Sequence, residues 1–154
     1  MMKIFLVRHG ESKSIAFPGK DVDRDLTSLG ISEIEKLSTE LSGIINDQPA
    51  IICSHARRAR KTAEIIAKQW NCRPVTDNSL YYGGIENYEG VIQNNTETKN
   101  LIIVGHNPDI SLFASFLCNG NLLFLPGSCA VISRTLDGEK TKNELLHFRH
   151  PGSK

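Results

Sequence analysis

No stretch of this sequence approaches the roughly 18–20 consecutive apolar residues that a membrane-crossing helix needs, so no such span is expected. An apolar run begins by Lys3-Ile4, which leaves no room ahead of it for the charged and hydrophobic regions of a secretory signal. A cytoplasmic location is the resulting expectation. Charge of one sign is also missing: 18 Lys and Arg stand against 17 Asp and Glu, for a formal net charge of +1. No global field therefore argues for a nucleic acid or an anionic membrane as partner. Cysteine is sparse and unpatterned. Cys53, Cys72, Cys118 and Cys129 form no C-x-x-C pair and no zinc spacing, and they read as packing residues rather than redox or metal chemistry. Internal repeats, low-complexity segments and linkers are absent as well. The 154 residues, 40% of them hydrophobic, are expected to form one domain spanning 1–154 with a real core.

What is present is a chain that alternates strand and helix patterns. Lys3 to Val7 reads as a buried strand that switches abruptly to Arg8-His9-Gly10-Glu11. Ser12 to Asp25, with Pro18-Gly19 inside it, has no regular period and reads as a loop. Thr27 is placed to cap a helix whose apolar positions are Ile34, Leu37, Leu41, Ile44 and Ile45. Ala50 to Cys53 is a short strand, with Ser54 as the expected cap of the helix that follows. That helix turns Ala59, Ala63, Ile66, Ala67 and Trp70 to one side. Arg57, Arg58, Arg60 and Lys61 crowd its start, where cations oppose the helix dipole. Three of these cations read as a solvated face, and one as aimed at an anion. A short helix is expected over 86–93 and a strand over 101–104. That strand ends in Gly105-His106-Asn107-Pro108-Asp109, in which Asn107 is the expected cap and Pro108 the first helical residue. Ile110, Leu112, Phe113, Phe116 and Leu117 supply the buried side of the helix that follows, and Asn119-Gly120 its stop. Strands over 129–134 and 144–148 close the chain as a hairpin. The expected fold is an α/β/α three-layer sandwich, its sheet mainly parallel with an antiparallel edge near the C-terminus.

Three strand ends carry polar groups: Arg8 with His9, Arg58 just past the second strand, and His106. Right-handed crossovers bring parallel strand ends to one side of the sheet, where ligands of open α/β sheets bind. Two arginines and two histidines, with no partner carboxylate evident in the sequence, make an anion site. A forked guanidinium suits a tetrahedral phosphoryl group, and an imidazole can act as the nucleophile. No cofactor is implied, and no carboxylate cluster offers to bind a metal. Ser12 and Glu86 are further candidates for substrate contact, Ser12 at the rim and Glu86 as a proton donor at a helix start. His55, His147 and His150 read as structural or peripheral.

The same residues carry a resemblance. Leu6-Val7-Arg8-His9-Gly10-Glu11, Ser54-His55-Ala56-Arg57-Arg58-Ala59-Arg60-Lys61-Thr62 and Gly105-His106-Asn107 resemble, in order, the three blocks of the histidine phosphatase superfamily, the phosphoglycerate mutase-like proteins. Asp23-Arg24-Asp25-Leu26-Thr27, followed by Gly30, is similar to a block of the short SixA-like branch, the phosphohistidine phosphatases. The resemblance implies that His9 becomes a phosphohistidine, that Arg8, Arg58 and His106 bind the phosphoryl group, and that water then releases phosphate. The chain departs from the family pattern at Ile15, where the mutases have Asn, and at His55 and Asp25, where Pro is common.

The leaving group can be weighed from the missing acid. An alcohol needs a proton from the enzyme, whereas imidazole, with a reference pKa of ~6.5, needs much less help. The expectation is a metal-independent phosphatase acting on phosphohistidine displayed by a protein. A phosphatase for a small phosphoester, with Glu86 as donor, is the alternative, and a binding module without turnover is a third reading. Nothing in the sequence speaks to oligomeric state.

Overall fold

The computed structural model of the protein describes residues 1–15 and 18–152. Its strands are β1 (Met2–Arg8), β2 (Ala50–Cys53), β3 (Val75–Thr76), β4 (Asn100–Gly105), β5 (Cys129–Asp137) and β6 (Lys140–Arg149). Its helices are α1 (Ser28–Ile44), α2 (Arg57–Ala67), α3 (Ile85–Gln93) and α4 (Asp109–Cys118). The strands form one sheet in the order β3-β2-β4-β1-β5-β6. β3, β2, β4 and β1 run parallel, and β5 and β6 add antiparallel neighbours on the far side of β1. This is the expected mixed sheet with its antiparallel edge at the C-terminal end.

Side chains alternate across the pleat, and that alternation sorts the core into two halves. Ile4, Leu6, Leu101 and Ile103 pack with Tyr88, Val91 and Ile92 of α3 and with Ile110, Phe113 and Leu117 of α4. Phe5, Val7, Ile102 and Val104 pack with Ile34, Leu37 and Leu41 of α1 and with Ala59, Ala63 and Ile66 of α2. β1 and β4 are thus covered on both faces, and each fully buried Leu, Ile or Phe contributes about 1.5–3 kcal/mol. Three layers follow from that arrangement.

Thr27 caps α1 as expected, its hydroxyl accepting from Gly30 N–H at 3.0 Å. Gly30 has a second reason to be glycine, since a Cβ there would meet the main-chain carbonyl oxygen of Glu11 at 2.3 Å. Asn119 ends α4 in the left-handed conformation.

Several local expectations are corrected. Ile44 is exposed because α1 turns only the 34, 37 and 41 stripe to the sheet, and Ile45, just past the helix, fills the last core place. Leu112 and Phe116 are 57% and 72% exposed. They lie on the side of α4 away from Ile110, Phe113, Ala114 and Leu117, and one stripe suffices to cover the sheet. Ser54 does not cap α2; that place is taken by Ala56, which has no side chain able to accept. Asn107 does not cap α4, which starts at Asp109 after Pro108. The Asn107 side chain is used elsewhere, donating to Phe124 O at 2.9 Å and accepting from the Ser111 hydroxyl. The 12–25 loop is less irregular than expected. A bridge joins Ser12 to Leu26, and Asp21–Asp23 forms a 3-10 turn.

Candidate active site

The sheet register builds the site. Arg8 of β1 stands opposite Gly105 of β4, and Cys53 of β2 opposite Val104. The next residues of the three strands, His9, His106 and Ser54, therefore emerge side by side at the carboxyl edge. Main-chain bonds continue the ladders there, His9 N–H to Gly105 O at 3.2 Å and Ser54 N–H to Val104 O at 3.1 Å. The two imidazole centroids are 5.1 Å apart.

His9 is buried, and its ring orientation is fixed. Nδ1 lies 2.8 Å from the carbonyl of Gly10. A carbonyl only accepts, so Nδ1 carries the proton. Nε2 is left with its lone pair, and it accepts from Arg58 Nε at 3.3 Å. Burial, reinforced by Arg58, Arg8 and Arg24, outweighs the Gly10 hydrogen bond and pushes the His9 pKa down to about 3, so the ring is neutral. Gly10 is itself tied to α2: its N–H donates to Thr62 Oγ1 at 3.1 Å, and that hydroxyl donates to Arg58 O at 2.7 Å. Thr62 thus couples the His9 loop to the helix turn that carries Arg58.

His106 is held by different partners. Its main-chain N–H donates to the buried Tyr88 hydroxyl at 3.2 Å, and Gly105 leaves room for that ring, since a Cβ there would meet the Tyr88 oxygen at 2.0 Å. Nε2 lies 2.8 Å from Ser54 Oγ, which also accepts from Ala56 N–H. The Ser54 hydroxyl keeps one proton and one lone pair free, so it serves either neutral tautomer, with the imidazole proton on Nε2 or on Nδ1. That Nδ1 is buried and has no hydrogen-bond partner. Burial, with His9 and Arg58 adding to it, pushes the His106 pKa down to about 3.

Arg58 is 1% exposed, in contrast to Arg57 and Arg60, which face solvent. Lys61 pairs with Asp25 at 2.9 Å. Arg8 donates through Nη1 to Phe124 O at 3.0 Å, while its buried Nε has no partner.

The expectation of a site without a carboxylate is corrected. Asp21 lies directly on Arg58, its Oδ2 at 3.0 Å from Nη2 and its main-chain oxygen at 2.8 Å from Nη1. Its carboxylate also accepts from Arg24 Nη1 at 3.1 Å and from the Tyr81 hydroxyl. Burial raises the Asp21 pKa, but the bonds from Tyr81, Arg24 and Arg58 outweigh it and hold the group at about 2. Asp21 is therefore ionised. Tyr82 completes the enclosure, its hydroxyl accepting from Arg58 Nη2 at 3.0 Å and its ring centroid 5.1 Å from that of His106.

The remaining candidates lie further out. Ser12 is half-buried and accepts from Arg24 Nη2 at 2.9 Å. Glu86 is exposed in the first turn of α3 and shares no hydrogen bond with Arg8, His9, Arg58 or His106. His55 packs its ring 5.1 Å from Tyr81, and His150 bonds Ser128. The four cysteines are free thiols. Among the described residues, no group of three or more His, Cys, Asp or Glu side chains is arranged to hold a metal ion, and no helix is long and apolar enough to cross a membrane.

Asp21, Tyr81, Tyr82 and Thr62 were not singled out from sequence. Thr62 carried a signal as the last residue of the Ser54–Thr62 block. Asp21 lay in a stretch without period, where only the distal contact to Arg58 gives it meaning.

The fold is similar to that of several solved structures. The chain is similar to a protein described as phosphohistidine phosphatase SixA from Agrobacterium tumefaciens, with a TM-score of 0.84 and 24% identity over 98% of this chain and 99% of that one. It is similar to the protein histidine phosphatase SixA complexed with tungstate, with a TM-score of 0.84 and 22% identity over 97% of each chain. A mycobacterial glucosyl-3-phosphoglycerate phosphatase aligns with a TM-score of 0.74 and 14% identity, over 94% of this chain and 97% of that one. No curated protein sequence matches the chain. The family model for the histidine phosphatase superfamily (branch 1) matches residues 4–101, which include Arg8, His9, Arg58 and Thr62. The chain belongs to the histidine phosphatase superfamily, branch 1.

Proposed function

We propose that this phosphatase hydrolyses phosphohistidine displayed on another protein, through a phosphorylated His9. Nε2 of His9 attacks phosphorus in line with the leaving nitrogen. An N–P bond forms at His9 as the substrate's N–P bond breaks, and the leaving imidazole takes up its proton from solvent. Water then attacks phospho-His9, releasing inorganic phosphate and restoring the Nε2 lone pair. Phosphoryl transfer asks for positioning and for positive charge around the equatorial oxygens, which Arg8 and Arg58 supply. His106, with its proton on Nδ1, donates to the transferring group. None of these roles calls for a metal ion.

The observation that carries this reading is the state of His9. An imidazole whose Nδ1–H is given to Gly10 O presents an unprotonated Nε2, and that atom lies 3.3 Å from a buried guanidinium nitrogen. The substrate class is supported by the carboxylates. Asp21 is held ionised and cannot donate a proton near neutrality, and Glu86 is exposed and unconnected to the four residues. An imidazole leaving group tolerates this far better than an alkoxide. Several of the structurally similar proteins are described as phosphohistidine phosphatases.

The test compares release of phosphate from a phosphohistidine protein, a phosphoserine peptide and a sugar phosphate, each with and without EDTA. Release from phosphohistidine, unchanged by EDTA, is the expected result. Release from the two esters alone would overturn the substrate assignment.

A further inference from the structure

A guanidinium group offers two forked edges, and Arg58 uses them differently. Its end, through Nη1 and Nη2, is taken by Asp21. The side edge carries Nε–H and the second Nη2 hydrogen. Nε–H meets His9 Nε2 at 3.3 Å, and that Nη2 hydrogen meets the Tyr82 hydroxyl at 3.0 Å. A phosphoryl group engaged by His9 Nε2 presents its oxygens to this side edge, because bidentate recognition uses two parallel N–H donors. The Tyr82 hydroxyl lies where one of those oxygens has to accept.

Arg58 is the one hydrogen-bond partner that holds this hydroxyl among the described residues. Tyr82 is 50% exposed. Its neighbour Tyr81 contrasts with it, anchored through Asp21 and packed edge-on against both His55 and His106. Tyr82 has φ +57°, in the left-handed region that a bulky residue rarely adopts, and Gly83 and Gly84 follow it, Gly84 at φ +99°. Its ring is tilted 34° to that of His106, at 5.1 Å, and 4.7 Å from that of Tyr81.

We propose that Tyr82 is a lid of the phosphate pocket: its hydroxyl stands in for a phosphoryl oxygen on Arg58 until substrate displaces it, and its displaced ring then walls the leaving-group side and favours a flat ring there. This rests on the proposed function, since it presumes that a phosphoryl group is received by His9 and Arg58. The hydroxyl lowers affinity for any tetrahedral oxyanion, and the aromatic ring selects among leaving groups.

Tungstate binding is measured by calorimetry for the wild type, Tyr82→Phe and Arg58→Ala. Tyr82→Phe keeps the ring and removes the competing acceptor, so it is expected to bind tungstate about 2- to 10-fold tighter, the range of one net hydrogen bond. Equal or weaker binding by Tyr82→Phe, with Arg58→Ala abolishing binding, overturns the lid and leaves the phosphate site standing. Wild-type binding that Arg58→Ala does not change overturns both. The second measurement is the ratio of kcat/KM for N-phosphoimidazole over phosphoramidate, two N–P substrates that differ in the ring. Tyr82→Phe is expected to preserve that ratio and Tyr82→Ala to lower it about 2- to 10-fold, the range of one aromatic contact. An unchanged ratio in Tyr82→Ala overturns the wall.

Discussion

The carboxyl ends of β1 and β4 are near copies in sequence, an apolar run that stops at a histidine, yet they hold their imidazoles through opposite nitrogens, Nδ1 of His9 and Nε2 of His106. Both rings are buried, and both are pushed down to a pKa of about 3, by burial first and neighbouring charge second. The difference lies in one hydrogen bond each. The Gly10 carbonyl can only accept, so it fixes the proton of His9 on Nδ1 and frees Nε2. The Ser54 hydroxyl, which accepts from Ala56 N–H, can both donate to and accept from Nε2 of His106, so a proton on Nδ1 of that ring is accommodated. Burial makes both histidines neutral, and the neighbour decides what each neutral ring can do: the carbonyl obliges His9 to offer a lone pair, and the hydroxyl allows His106 the N–H that its proposed role needs.

The sharpest way to break the comparison is to remove each ring in turn. His9→Ala is expected to lose turnover by at least about 10⁴-fold, as loss of a nucleophile does, together with any acid-labile phosphoenzyme. His106→Ala is expected to lose about 10²–10³-fold in kcat, the scale of one transition-state donor, while still accumulating a phosphoenzyme under rapid-quench conditions. If both variants form the phosphoenzyme, or neither does, the assignment of lone pair and donor to different rings is wrong.

A smaller effect is expected from Asp21, which acts through Arg58. Its carboxylate and carbonyl clamp the end of the Arg58 guanidinium, which leaves the side edge turned to His9. Asp21→Ala should lower kcat/KM about 10-fold, the lower end of the scale of a charge-assisted hydrogen bond of about 1.5–3 kcal/mol. The loss should appear in the rate of phosphoenzyme formation. Arg57→Ala, at the exposed neighbour of Arg58, is the control and should change nothing measurable. An Asp21→Ala enzyme with a normal phosphorylation rate would show that Arg58 needs no clamp.

Much of the fold was legible in the sequence because its signals are local. Apolar runs marked β1, β2 and β4, Thr27 marked the start of α1, and Asn119-Gly120 marked the end of α4. Where periodicity overreached, at Ile44, Leu112 and Phe116, the chain carries more apolar residues than one helix stripe can bury. Arg8, His9, Arg58 and His106 were visible as polar groups at strand ends, and the register of β1, β4 and β2 explains why three adjacent ends converge. Asp21 was not legible. Its partners Arg24, Arg58 and Tyr81 are close only after folding, and its own segment has no period to read. Ser54 was read as a helix cap from its position after β2, and only the ladder from β2 to β4 shows that its hydroxyl meets His106 instead.

The smallest effect concerns stability, and here the two histidines should behave alike. Each has a folded pKa near 3 against about 6.5 when unfolded. Between those values the unfolded chain binds more protons than the folded one, so stability rises with pH across the window and is lost as pH falls below about 6.5. Each ring should cost about 1.4 kcal/mol per pH unit, which brings the pair to about 5 kcal/mol by pH 4.5, a large share of a typical 5–15 kcal/mol. Asp21, depressed to about 2, adds its own loss only below about pH 4. Urea midpoints from pH 7 to 4.5 should therefore fall steeply in the wild type and at about half that slope in either His9→Gln or His106→Gln. Equal slopes in the two variants would show that burial acts alike on the two rings, whatever their hydrogen-bond partners. A wild type whose midpoint is flat with pH would show that neither ring is held neutral, and the contrast between lone pair and donor would lose its basis.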